Sequence, residues 1–180
     1  MRREDLPTPE SGLEIADKHI LWEKQIALLD RIEGWPPIDG NIKETIAALN
    51  INGIPTLASC GGHMLQERHT GDTPYPWVLI SSQNREGENL SHGALQSLLV
   101  EFYKGRQTED DIRLEVSGDN HGQISLASAI NEDLLERLAE GKLTQKEKEG
   151  FIEKLPHRQK EMEDFGQFLK SRFFAADPQI

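Results

Sequence analysis

The residues best suited to chemistry lie together at Ser59-Cys60-Gly61-Gly62-His63, where a hydroxyl, a thiol and an imidazole surround two glycines. Adjacent glycines let the backbone approach another group closely and turn successive amides into a concavity of the kind that cradles anions. A short helix over Met64 to His69 would add its positive N-terminal end to that hollow. On this reading the loop holds a small phosphate or carboxylate, with Ser59, Gly61 and Gly62 as binding residues. Two other chemistries use the same atoms. Cys60 and His63 have a Cys-x-x-His spacing that can close on one metal ion, with His69, His92 or His121 completing the set. A thiol beside loop amides and an imidazole is also the basis of a nucleophile, with Cys60 attacking and His63 assisting. A purely structural role competes with all three: paired glycines make a tight strand exit, and cysteine is among the most buried residue types.

Around this loop other residues are candidates for lesser parts. Trp77 follows Pro74-Tyr75-Pro76, rigid flat groups that line pockets for planar ligands and equally line the entrance to a buried strand. Ser81 lies on the same segment and is expected beside the loop. His19 falls on an apolar helix stripe, which predicts a hydrogen-bonded interior or interface histidine. His121 is expected to be exposed in a turn. Arg113, Glu115, Gln123 and Ser125 share one face of a predicted hairpin, open to solvent, a ligand or a second subunit. The acidic run at Glu161, Glu163 and Asp164 reads as a solvated helix face. No P-loop, dinucleotide fingerprint, nucleophile elbow or His-Glu-x-x-His helix occurs, and no cofactor is indicated.

The elements that must position these groups follow from periodicity and punctuation. Pro7 and Pro9 keep residues 1–10 extended, and a helix from near Ser11 carries Ile15, His19, Trp22, Ile26 and Leu29 at steps of three and four until Gly34-Trp35-Pro36-Pro37 ends it. Asp39 or Asn41 can cap a second helix, Ile42 to Asn50. Ile54 to Ser59 reads as a strand in which Pro55 is confined to the first residues or to an edge, and Trp77 to Ser82 as a central strand apolar on both faces. Ser91 can cap a helix that turns Leu95, Leu98, Leu99 and Phe102 inward. Ile112, Leu114 and Val116, then Ile124 and Leu126, alternate with polar residues about a Gly118-to-Gly122 turn, the pattern of a half-buried hairpin.

Asn131 opens a helix to Gly141, Thr144-Gln145-Lys146-Glu147 has capping-box spacing, and the remainder is a helical extension over 142–180, broken near Pro156, with Met162, Phe165, Leu169 and Phe173 as its stripe. The middle of the chain thus reads helix-strand-strand twice. That predicts an α+β fold: one domain with a mainly antiparallel four-stranded sheet, helices on one face and further terminal helices. A parallel βαβ arrangement, with the helix before Asp111 as a crossover, is the alternative.

Composition bounds the partners. The 180 residues carry 20 Lys and Arg against 31 Asp and Glu, a net charge of −11, with 36% hydrophobic residues and one cysteine. So acidic a chain is repelled by phosphate backbones and anionic membranes, which argues against general nucleic-acid binding and membrane docking. A single cysteine forms no internal disulfide, and no apolar run of leader or membrane-spanning length follows Met1-Arg2-Arg3-Glu4-Asp5, so a cytoplasmic location is expected.

Leu49 to Ile54, Thr56 to His63 and Pro74 to Val78 together resemble a group of small uncharacterised bacterial and phage proteins with a Ser-Cys-x-Gly-His loop followed by Pro-Trp-Val. The likeness covers residues 49–80, and those proteins often carry Glu where this chain has Gly61. It brings no established activity with it. The helix, the strand ending in Ser59-Cys60-Gly61-Gly62-His63 and the Trp77-bearing strand are also distantly similar to the wybutosine-synthesising tRNA methyltransferases, whose corresponding strand ends in Ser-Cys-Ser-Gly-Arg, with His63 here in place of the arginine. That distant likeness implies a methyl donor or tRNA, against which the net charge argues.

The leading expectation is a cytosolic α+β protein that binds a small anionic ligand at Ser59 to His63, with Trp77 and Ser81 nearby and Cys60 and His63 as candidate catalytic groups. Its rivals are a metal-binding protein using Cys60 and His63, and a non-enzymatic module that self-associates through its first helix or open sheet face.

Overall fold

A computed structural model describes residues 15–31, 38–63, 73–83, 92–118 and 123–175. Along them run α1 (Ile15–Leu29), α2 (Lys43–Ile51), β1 (Thr56–Cys60), β2 (Trp77–Ile80), α3 (His92–Phe102), β3 (Leu114–Gly118), β4 (Ile124–Ser128), α4 (Glu132–Ala139) and α5 (Gln145–Ala175). The extended arm at 1–10, the helix start near Ser11, the stop at 34–37, the helix over 64–69, the Ser91 cap and the turn at 119–122 lie outside the described residues, as do His69 and His121.

The two helix-strand-strand units join in a single sheet of order β1-β2-β4-β3. Each neighbouring pair is antiparallel, including β2 with β4, so the parallel crossover does not occur. The fold is α+β. Pro55 lies just before β1, outside its ladder; β1 is an edge strand and β2 is central between β1 and β4.

Register decides the faces. Val78 stands opposite Leu126, which stands opposite Val116, and Ile80 opposite Ile124. These residues join Leu114 in a core shared with Ile46, Leu49, Leu95, Leu99, Phe165 and Leu169 of the helices. Burying each large apolar side chain contributes about 1.5–3 kcal/mol before its entropic cost. The other face carries Cys60 opposite Trp77, then Ala127 and Glu115.

Helices α2 and α5 cross at close range on the core side. A Cβ added at Gly166 would come within 2.8 Å of Thr45 Cα, so only glycine lets the two backbones approach there, and Thr45 Oγ1 donates to Met162 O at 3.1 Å. The stripe Met162, Phe165, Leu169 and Phe173 is buried. Contrary to the expected break, α5 runs through Pro156 without ending. Proline there removes one backbone N–H at a cost of about 3 kcal/mol, which the buried Phe151, Leu155, Met162 and Phe165 on either side offset.

Local signals are otherwise obeyed at several ends. Asn131 Oδ1 accepts from Asp133 N at 2.9 Å. Thr144 and Glu147 form the reciprocal capping box, with bonds of 2.8 and 3.3 Å. The cap expected for α2 is different: Ile42 takes that position and makes no side-chain bond. In α1 the buried positions are Lys18, Trp22, Gln25 and Leu29, while Ile15 and His19 are exposed. His19 is therefore not an interior residue; its ring lies tilted against Phe174, with centroids 4.7 Å apart. Glu161 also departs from the expected solvated face, being buried against Arg106 and Thr108. No helix among the described residues is long and apolar enough to cross a membrane.

Candidate functional site

The end of β1 carries Cys60 into the glycine loop, and the structure brings a third group to it from another segment. Ligand atoms of Asp39, Cys60 and His63 all lie within 4.8 Å of one another, the only such cluster of three or more His, Cys, Asp or Glu among the described residues. Asp39 Oδ2 accepts the Gly61 N–H at 2.7 Å and lies 3.1 Å from His63 Nε2. Cys60 is buried, whereas the Asp39 and His63 side chains keep 30% and 32% of their surface exposed. The cluster is thus closed on the thiol side and accessible on the other.

Side chains from distant elements fix the loop. Asn41 Nδ2 donates to Gly61 O at 2.9 Å, and Gln159 Nε2, from the middle of α5, donates to both Gly61 O and Gly62 O at 3.0 Å. A Cβ at Gly61 would lie 2.1 Å from Asn41 Oδ1 and 2.8 Å from Asp39 Cβ. Gly62 has φ +80°, and a Cβ there would meet Leu155 Cδ1 at 2.8 Å and Pro76 N at 3.0 Å. Both glycines are therefore required, the first by close approach and the second by conformation as well.

The amides that could cradle an anion have partners of their own. Gly61 N donates to Asp39, Gly62 N to Cys60 Sγ at 3.4 Å, and His63 N to Thr73 O at 2.8 Å. The Asp39 carboxylate thus takes the first of the three amides, and the thiol and a backbone carbonyl take the other two. Thr73 Oγ1 lies 3.8 Å from Cys60 Sγ and donates to Tyr75 O at 2.6 Å, tying the strand entrance to the thiol.

The remaining sequence candidates divide. Trp77 stands directly across from Cys60 in the sheet and so shares its face. Ser59, opposite Val78, belongs to the other face. Ser81 does not join the loop: its N–H bonds Pro55 O at 2.8 Å, at the end of β1 away from Cys60. His92 is equally remote, because it packs against Gly118, which pairs with Ile124 at that far end of the sheet. On the hairpin, Glu115 is exposed and Arg113 stacks on the Tyr103 ring at 4.4 Å.

Asp39, Asn41, Thr73 and Gln159 escape a reading of sequence. Asp39 and Asn41 look like helix caps, and Gln159 sits in a polar stretch of a long helix with no local signal at all. Beside Gln159, the buried Arg158 guanidinium has its pKa lowered by desolvation, opposed by Asp111, and its Nη1 has no hydrogen-bond partner.

Comparison of the chain with protein-family models, curated proteins and solved structures finds no match.

Proposed function

We propose that this is a metal-binding protein whose Asp39 carboxylate, Cys60 thiolate and His63 imidazole hold one divalent transition-metal ion. The observation that carries this reading is the convergence of the three ligand atoms within 4.8 Å. Ligands on a tetrahedral zinc or cobalt ion sit roughly 3.3–3.6 Å apart, so side-chain movements of about 1 Å close the set. A thiolate and an imidazole favour zinc, cobalt or iron over magnesium or calcium, which prefer oxygen alone. The hydrogen bonds from Gly61 to Asp39 and from Gly62 to Cys60 are of the kind that orient metal ligands from behind.

The same atoms support the other two chemistries less well. An external anion would find the Gly61, Gly62 and His63 amides already bonded, to Asp39, Cys60 and Thr73 respectively. A thiol with 5% of its residue surface exposed gives an attacking sulfur little access to a substrate.

The test is cobalt uptake by reduced, chelator-stripped protein. One equivalent of Co(II) should bind and produce a thiolate-to-cobalt absorption band that Cys60→Ser abolishes. Failure to take up Co(II) or Zn(II) stoichiometrically, or uptake that Cys60→Ser leaves unchanged, overturns the proposal.

A further inference from the structure

Between the start of α2 and the middle of α5 lies a groove of about 480 Å³, walled by residues other than Asp39, Cys60 and His63 and so distinct from their cluster. Its volume falls in the range of small-molecule sites. What the wall offers a ligand depends on which of its polar groups are already engaged. Three amide side chains line it, and each directs its NH2 group to the protein: Asn41 to Gly61 O, Gln159 to Gly61 O and Gly62 O, and Gln167 to Glu44 Oε2 at 2.8 Å. Pro156, on the same wall, has no N–H to give. Lys160, the cation among the lining side chains, is paired with Asp164 and lies 3.8 Å from Glu163.

The acceptors are freer. Apart from that 3.8 Å pairing the Glu163 carboxylate has no partner among the described residues. Glu44 receives Gln167 and Lys170 on Oε2 alone, which leaves Oε1 open. The Gln167 hydrogen bond also lowers the Glu44 pKa, so this carboxylate is charged at neutral pH.

We propose that the groove binds a small aliphatic amine whose ammonium group donates to the Glu44 and Glu163 carboxylates. The wall's own chemistry selects that class. An ammonium brings three donors and no acceptor to a surface whose donors are taken. A hydroxyl brings one donor and makes a weaker bond to a carboxylate than a cation does. An anion meets two glutamates in a chain of net charge −11.

The experiment is calorimetry on the metal-free full chain at low salt, so that coordination to an ion plays no part. Three probes share one four-carbon chain and differ at its ends: 1,4-diaminobutane, 1,4-butanediol and succinate. The diamine should bind saturably at one site, the diol about fivefold more weakly, as the upper range for a half-exposed ion pair allows, and succinate should give no saturable heat. Glu163→Gln alters an exposed side chain and should weaken the diamine by about threefold while leaving the diol unchanged. Gly40→Trp puts a bulky ring on the groove wall, at a position where a Cβ meets nothing within 4 Å, and should weaken the diamine by about fivefold. The assignment is overturned if the diamine does not saturate, or if the diol or succinate binds as tightly. It is overturned equally if either variant binds the diamine like the parent, since the amine would then be adhering to the acidic surface at large.

Discussion

Asp39 Oδ2 lies 3.1 Å from His63 Nε2 while the same oxygen accepts the Gly61 N–H at 2.7 Å. One carboxylate atom from the segment before α2 thereby ties the loop backbone to the imidazole.

Replacing that carboxylate separates its two roles. Asp39→Ala should lower Co(II) affinity by about 100-fold, since loss of groups merely supporting a ligand already costs 10–100-fold. Without metal it should cost about 1–3 kcal/mol, because the Gly61 amide loses its acceptor. Asp39→Asn, which keeps an acceptor oxygen, should recover most of the stability but not the affinity. Urea unfolding and cobalt titration of the two variants measure the two effects, and equal cobalt affinity in Asp39→Ala and the parent would exclude Asp39 as a ligand.

The loop should tolerate side chains according to the space around each glycine. Gly61→Ala must displace Asn41 Oδ1 from 2.1 Å and should destabilise the protein by about 1–3 kcal/mol. Gly40→Ala, with nothing within 4 Å, should stay within about 0.5 kcal/mol of the parent. Identical urea midpoints for the two would show that the loop relaxes freely.

Acid should weaken the α2–α5 contact through Glu44. The hydrogen bond from Gln167 lowers its pKa below the ordinary 4.5; partial burial opposes this, and the Lys170 ammonium adds to it. A carboxylate depressed on folding stabilises the native state above its unfolded value and loses that contribution as pH falls through the folded one. The urea midpoint of the parent should therefore drop between about pH 5 and 3 more steeply than that of Glu44→Gln. Parallel curves would remove Glu44 from the account.

Much of the architecture could be read along the chain because it rests on contacts between near neighbours. The alternation of Ile112, Leu114 and Val116 with polar residues marks β3, and that of Ile124 and Leu126 marks β4. The Thr144–Glu147 capping box spans three residues and forms as its spacing requires. Pro55 marks the start of β1, which begins at the next residue, Thr56. The break expected at Pro156 fails because a local cost is opposed by packing that only the assembled core supplies.

Sequence alone determined the kind of fold, the two glycines and the thiol and imidazole beside them, since these depend on residue type and short-range spacing. Tertiary structure decided what the loop contains. Asp39 reaches Gly61 across 22 residues and Gln159 reaches it across 98, and nothing in either neighbourhood announces the contact. Loop amides look available to any anion until folding gives each a partner from the chain itself, the Asp39 carboxylate for Gly61, because hydrogen-bond partners are assigned by proximity in space.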